Sequence, residues 1–156
     1  MTPNALSAKY LQAFADKEEF PGGLSFRGEL ANSDLDFTRA SLGRIDALLD
    51  QIRNSQKLVY AAFVNEQSNQ NFLYLLCFYV GTTISRCSGQ RIVWLHYDDM
   101  LRHIPDNAAM FPRCFATSIT CILEKRGFFV PLASIENRLF GEPPDKSVKF
   151  SAEGFI

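Results

Sequence analysis

Both histidines of the chain, His96 and His103, flank a pair of carboxylates, Asp98 and Asp99, with Tyr97 beside them. An imidazole oriented by a carboxylate is the apparatus of general acid or base catalysis. One reading therefore makes His96 or His103 the acid or base and Asp98 or Asp99 its partner, and it requires these side chains to converge in one pocket. A metal site is not expected. A histidine followed by another seven residues on, across a loop, is not a ligand spacing, and the third and fourth ligands are missing.

Other chemistry is poorly supplied. The chain has no Gly-x-Ser-x-Gly elbow, no His-Glu-x-x-His helix, and neither the Walker nor the Rossmann glycine pattern, so no cofactor is expected. Asp34 and Asp36 alternate in a polar stretch and read as a solvated face, not a glycosidase pair. The separations between Cys77, Cys87, Cys114 and Cys121 are not zinc spacings. Cys77 and Cys121 sit in apolar patterns and read as small buried hydrophobes. Cys87 follows Arg86 at a helix carboxyl end, where the dipole opposes a thiolate. Aromatic and basic residues interleave at Arg91, Trp94, His96 and Tyr97, but the neighbouring acids oppose a nucleic-acid platform.

Without catalysis, the same cluster reads as a contact surface. Tyr97 is an aromatic anchor, and Asp98 and Asp99 are acids able to meet a basic site on a protein partner.

The elements that position this cluster follow from periodicity. An apolar stripe of Leu6, Tyr10, Leu11 and Phe14 predicts a helix from about Asn4 to Asp16. Leu42, Ile45, Leu48, Leu49 and Ile52 predict a second from Ser41, as its cap, to about Asn54, with Asp46, Asp50 and Arg53 on the wet face. From about Asn69 to Arg86 the pattern is apolar nearly all round, which places that helix in the centre, and Gly89 ends it. Leu58 to Val64 is read as a short helix.

Beyond Gly89 the composition turns β-rich with period two. Strands are predicted at Arg91 to Tyr97, Phe115 to Leu123 and Phe128 to Val130, the last two joined across Glu124 to Gly127. Asp98 and Asp99 are then expected to end a strand in a solvated turn. Pro131 opens a helix to Phe140, and Ser147 to Ser151 reads as an edge strand. Pro21-Gly22-Gly23 and Gly141 to Pro144 are loops. Helices before strands predict an α+β fold, with helices packed on one face of a small antiparallel sheet.

The bulk numbers agree with one globular domain over residues 1–156. At this length a core can bury about two-thirds of the unfolded chain's surface without a metal or disulfide. Sixteen basic against seventeen acidic side chains give a net charge of -1, which favours neither nucleic acid nor an anionic membrane. No signal sequence is read at Met1 to Phe20 and no apolar run is long enough to span a bilayer, so a cytoplasmic location is expected.

Leu35-Asp36-Phe37-Thr38, Phe78-Tyr79-Val80-Gly81-Thr82, and Gly89 with Trp94 carry a resemblance. They resemble small bacterial proteins that share a leucine-rich helix, a helix with a Gly-Tyr-x-Gly-Glu-like turn and a Gly-x-x-Trp strand entry. Some of those proteins are similar to immunity proteins of toxin-immunity pairs. Thr82 stands where that pattern has an acid, so the role of that acid does not carry over. The resemblance implies a stand-alone binding protein that occludes the active site of a cognate toxin, and it brings no catalytic residues. Three expectations stand: an immunity-type binder using Tyr97, Asp98 and Asp99; a small enzyme built on His96, His103 and their acids; and a subunit of a larger assembly. The last predicts an exposed apolar patch and self-association. The oligomeric state is left open.

Overall fold

A computed structural model describes residues 1–104, 110–125 and 127–156. In chain order the elements are α1 (Pro3–Ala15), α2 (Arg27–Ala31), α3 (Arg39–Ser55), α4 (Tyr60–Asn65), α5 (Gln67–Ser88), β1 (Ile92–His96), α6 (Tyr97–His103), β2 (Ile119–Leu123), β3 (Gly127–Phe129), α7 (Pro131–Phe140) and α8 (Val148–Glu153). The three strands form one antiparallel sheet in the order β1-β2-β3. The fold is α+β, as the succession of patterns predicts.

The centre is α5, whose residues from Asn71 to Ile84 are nearly all buried. Gly89, at φ +73°, ends it. The stripe of α3 (Leu42, Ile45, Leu48, Leu49, Ile52) is buried against the same core. Burial of each such side chain contributes roughly 1.5–3 kcal/mol. The inner face of the sheet meets α5 through a cross-strand row, Trp94, Cys121 and Phe129, all buried.

Trp94 is 3% exposed. Its ring packs edge-on against Phe78, with ring centroids 5.1 Å apart, and lies over Gly81. A Cβ at position 81 would stand 2.4 Å from Trp94 Cζ2 and Cη2. The bare backbone of Gly81 is what lets the indole in. Trp94 therefore offers no base-stacking surface.

Several local expectations are corrected. The first turn of α3 is capped by Thr38, whose Oγ1 accepts from Ser41 N at 3.2 Å. Ser41 is buried, and its hydroxyl donates to Thr38 O and accepts from Tyr79 OH, each at 2.6 Å. Asp46 is not on the wet face: it is 8% exposed. Its carboxylate accepts from Ser147 Oγ at 2.7 Å, Val148 N at 2.7 Å and Lys149 N at 3.1 Å.

That cap explains why residues 147–151 do not form an edge strand. With Asp46 holding the free amides, the segment turns into α8 and buries Val148 and Ala152, which are four residues apart. The segment Phe115–Thr117 is a 3-10 turn, so β2 begins only at Ile119. Gly127 takes φ +82° at the β2-β3 reversal.

The quoted segments at 35–38 and 78–82 touch. Tyr79 OH accepts from Phe37 N at 2.7 Å, and the two rings lie 4.6 Å apart. These residues pack the entry of α3 onto α5.

Candidate protein-interaction surface

β1 runs directly into α6: His96 is still extended and Tyr97 begins the helix. Asp98 and Asp99 thus sit in the first turn of a helix and not in a turn after a strand, where their charge complements the exposed amides. Each acid has an arginine. Asp98 pairs with Arg113, and Asp99 pairs with Arg102 at 2.9 Å. The Arg113 guanidinium also lies over the Tyr97 ring, 4.5 Å from its centroid. Tyr97 OH donates to Phe111 O at 2.5 Å, so the hydroxyl is spent inside the chain. The three residues expected to meet a partner are together on the surface, but their acidic field is cancelled by the two arginines beside them.

The catalytic reading gains little from this arrangement. Both imidazoles are exposed. His103 Nδ1 lies 3.3 Å from the backbone oxygen of Asp99, and among the described residues neither imidazole bonds to the Asp98 or Asp99 carboxylate. Among the described residues no group of three or more His, Cys, Asp or Glu is placed to hold a metal ion.

A cleft of about 460 Å³ opens elsewhere, between α1, the Glu18–Gly22 loop and α5. The buried amide that lines it, Asn71, is already consumed: it accepts from Tyr10 OH and Gln67 Nε2 and donates to Pro21 O and Gly23 O.

The feature that sequence reasoning missed is the outer face of the sheet. Register places Val93 opposite Ile122 and Ile122 opposite Phe128, one row across all three strands. Val93 is 46% exposed, and Ile122 and Phe128 are half-buried. Beside this row, α6 covers the Leu95–Thr120 pair: buried Met100 approaches Thr120, whose Oγ1 lies 2.9 Å from Met100 Sδ. The ring of Phe111 packs edge-on against Phe128, centroids 5.2 Å apart. An antiparallel sheet with one face in solvent usually alternates apolar and polar residues. Here both faces are apolar. The signal was present in the unbroken runs Ile92-Val93-Trp94-Leu95 and Gly127-Phe128-Phe129, which carry no polar alternate residue.

The free edge of β1 is guarded. Asn4 Oδ1, from α1, accepts from Trp94 N at 2.9 Å and takes the place of a neighbouring strand.

Away from the sheet, Glu136 accepts from Tyr60 OH at 2.8 Å. Burial raises the Glu136 carboxyl above its ordinary range, and burial with the neighbouring Glu136 raises the Tyr60 hydroxyl. Burial likewise pushes the Cys77 thiol well up and the Cys121 thiol up to about 12, which leaves both unreactive.

No protein-family model, no curated protein and no solved structure matches the chain. Among the described residues no helix is long and apolar enough to cross a membrane.

Proposed function

We propose that the chain acts by contact, as a protein-binding domain, and that the outer face of the sheet with α6 beside it is the contact surface. One observation carries this reading: the Val93–Ile122–Phe128 row is apolar, spans all three strands and faces outward, with the Asp98–Arg113 and Asp99–Arg102 pairs beside it. An apolar centre with a polar rim is the anatomy of a protein interface.

Within this reading, the resemblance carried by residues 35–38, 78–82, 89 and 94 supplies the finer proposal. The chain is an immunity protein of a bacterial toxin-immunity pair, acting in the cytoplasm, with Tyr97, Asp98 and Asp99 in the contact with its toxin. The geometry favours anchoring by the apolar row over attraction by the acids, because each acid is already paired.

A search for a toxin-like gene beside the one for this chain, followed by co-expression of the two, tests the proposal. The wild type is expected to protect the host and to co-purify with the toxin, and Val93→Lys is expected to lose both. A Val93→Lys chain that folds and still protects would remove the sheet face from the mechanism.

A further inference from the structure

We infer that α1 is a detachable guard on the sheet: it opens as a unit about residues 15–17 while α5 and the strands stay folded, and its opening bares the β1 edge.

Glu124 N donates to Arg91 O at 3.1 Å, which continues the register of Val93 with Ile122 and Leu95 with Thr120. Arg91, Val93 and Leu95 therefore turn their backbone groups to β2, and Ile92, Trp94 and His96 turn theirs away from it. Asn4 Oδ1 takes the N–H in the middle of that outward row, at Trp94. α1 thus stands where a fourth strand would pair, and it holds off strand addition while it is closed.

α1 is fastened more lightly than the helices of the core. Its buried residues are Pro3 and Ser7, and its apolar stripe of Leu6, Tyr10, Leu11 and Phe14 is half-buried. The stripe of α3, by contrast, is buried throughout. A cleft of about 460 Å³ runs beside Leu6, Tyr10 and Ala13, and another of about 690 Å³ opens beside Phe14 and Ala15. Among the described residues two hydrogen bonds tie α1 to the elements beyond it, Asn4 Oδ1 from Trp94 N at 2.9 Å and Tyr10 OH to Asn71 Oδ1 at 2.7 Å. Losing them strands no buried polar group. Asn71 Oδ1 keeps its bond from Gln67 Nε2, and the Trp94 N–H is left at an open edge where water reaches it. A segment with few buried apolar side chains and few ties opens at a lower free energy than the whole fold.

The hinge is built into the chain. Residues 15–17 are exposed, with Lys17 at φ +56°. Beyond them the chain is held without help from α1: Arg27 Nη2 donates to Glu18 O, and Asn71 Nδ2 donates to Pro21 O and Gly23 O. The closed state is kept mainly by the Tyr10 ring, which packs edge-on against Phe20 and Phe78 with centroids 5.4 and 5.5 Å away.

Native-state hydrogen exchange of the full chain, in urea below its unfolding transition, tests this. The amides of Leu11, Gln12 and Phe14 are expected to share one opening with Trp94, with a smaller urea dependence than the amides of Leu75 to Val80 in α5. Asn4→Ala and Tyr10→Phe each remove one tie, and each is expected to speed exchange at the far end as well as its own. Asn4→Ala should speed Leu11 to Phe14, and Tyr10→Phe should speed Trp94, roughly fivefold in each case, with α5 unchanged. Asp46→Ala, which weakens the fold from α8, should speed α5 and leave the α1 opening where it was. The inference is overturned if α1 exchanges with the free energy and urea slope of α5, or if either substitution speeds only the end it touches.

Discussion

Gly81→Ala places one methyl group where the fold has left none. The added Cβ would lie 2.4 Å from Trp94 Cζ2 and Cη2, whereas carbon atoms in contact settle at about 3.5–4.0 Å. The indole must retreat by more than 1 Å, roughly the difference between these distances. It has little room to do so, because the Phe78 ring stands edge-on against it and Trp94 is buried on the inner face of the sheet. Overpacking of this kind costs about 1–3 kcal/mol. Alanine in a helix interior returns about 1 kcal/mol through propensity. The net is a loss of roughly 0–2 kcal/mol, the difference of those two terms.

Urea unfolding measures it, followed by the fluorescence of the single tryptophan and by far-ultraviolet circular dichroism. The decisive arm is the double-mutant cycle. Trp94→Phe removes the second ring and with it both clashing atoms, so in that background Gly81→Ala should change sign and stabilise by up to about 1 kcal/mol. The same destabilisation in both backgrounds would refute the steric account, and so would a stabilising Gly81→Ala in the wild type.

Four further outcomes follow from the packing. Asp46→Ala leaves the buried Val148 N–H without its acceptor and removes two more bonds to α8; a loss of about 2–4 kcal/mol is expected in urea unfolding, with faster amide exchange at Val148 and Lys149. Glu136 has a raised carboxyl in the fold, so its contribution is fully present below the ordinary glutamate value and is lost as pH rises through the folded value. Glu136→Gln, which keeps an acceptor for Tyr60 OH, should therefore be at least as stable as the parent at neutral pH, and the advantage should shrink as urea midpoints are followed down to about pH 4. A thiol reagent should titrate Cys87 and Cys114 in the native protein and reach Cys77 and Cys121 only in denaturant. Val93→Lys should alter the unfolding free energy measured in urea by less than about 0.5 kcal/mol, as a substitution at an exposed strand position does.

The helices that bury a stripe were legible in the sequence because burial leaves a period. The apolar steps of α3 and the all-round apolarity of α5 place both, and Gly89 marks the end of α5. What failed was decided by groups far apart in the chain. Nothing near Ser147 announces that a carboxylate a hundred residues earlier will cap the segment, so its β-compatible composition misread as an edge strand. Asp46 was misassigned for the same reason in reverse. On a helical wheel it joins Asp50 and Arg53, yet the partner that buries it arrives from the end of the chain. Thr38 took the capping role from Ser41 because Tyr79, from α5, claims the Ser41 hydroxyl.

The candidate surface shows the same division. Tyr97, Asp98 and Asp99 stood out because polar clusters draw the eye, but their arginines, Arg102 and Arg113, lie three and fifteen residues from the acids they neutralise. The apolar row was hidden by the opposite effect. Each strand presents its outer side chain between inner ones of equal hydrophobicity, so Val93 beside Trp94 and Phe128 beside Phe129 read as core twice over. A three-stranded sheet has only one helical layer behind it to fill. The second apolar face meets α6 at one end, through Met100 and Thr120, and the Phe111 ring at Phe128. Val93 keeps 46% of its surface in water, a standing cost that partner binding would relieve. β-branched valine also suits an extended strand, so the partner-binding account of position 93 stands or falls on whether Val93→Lys loses binding while keeping its stability.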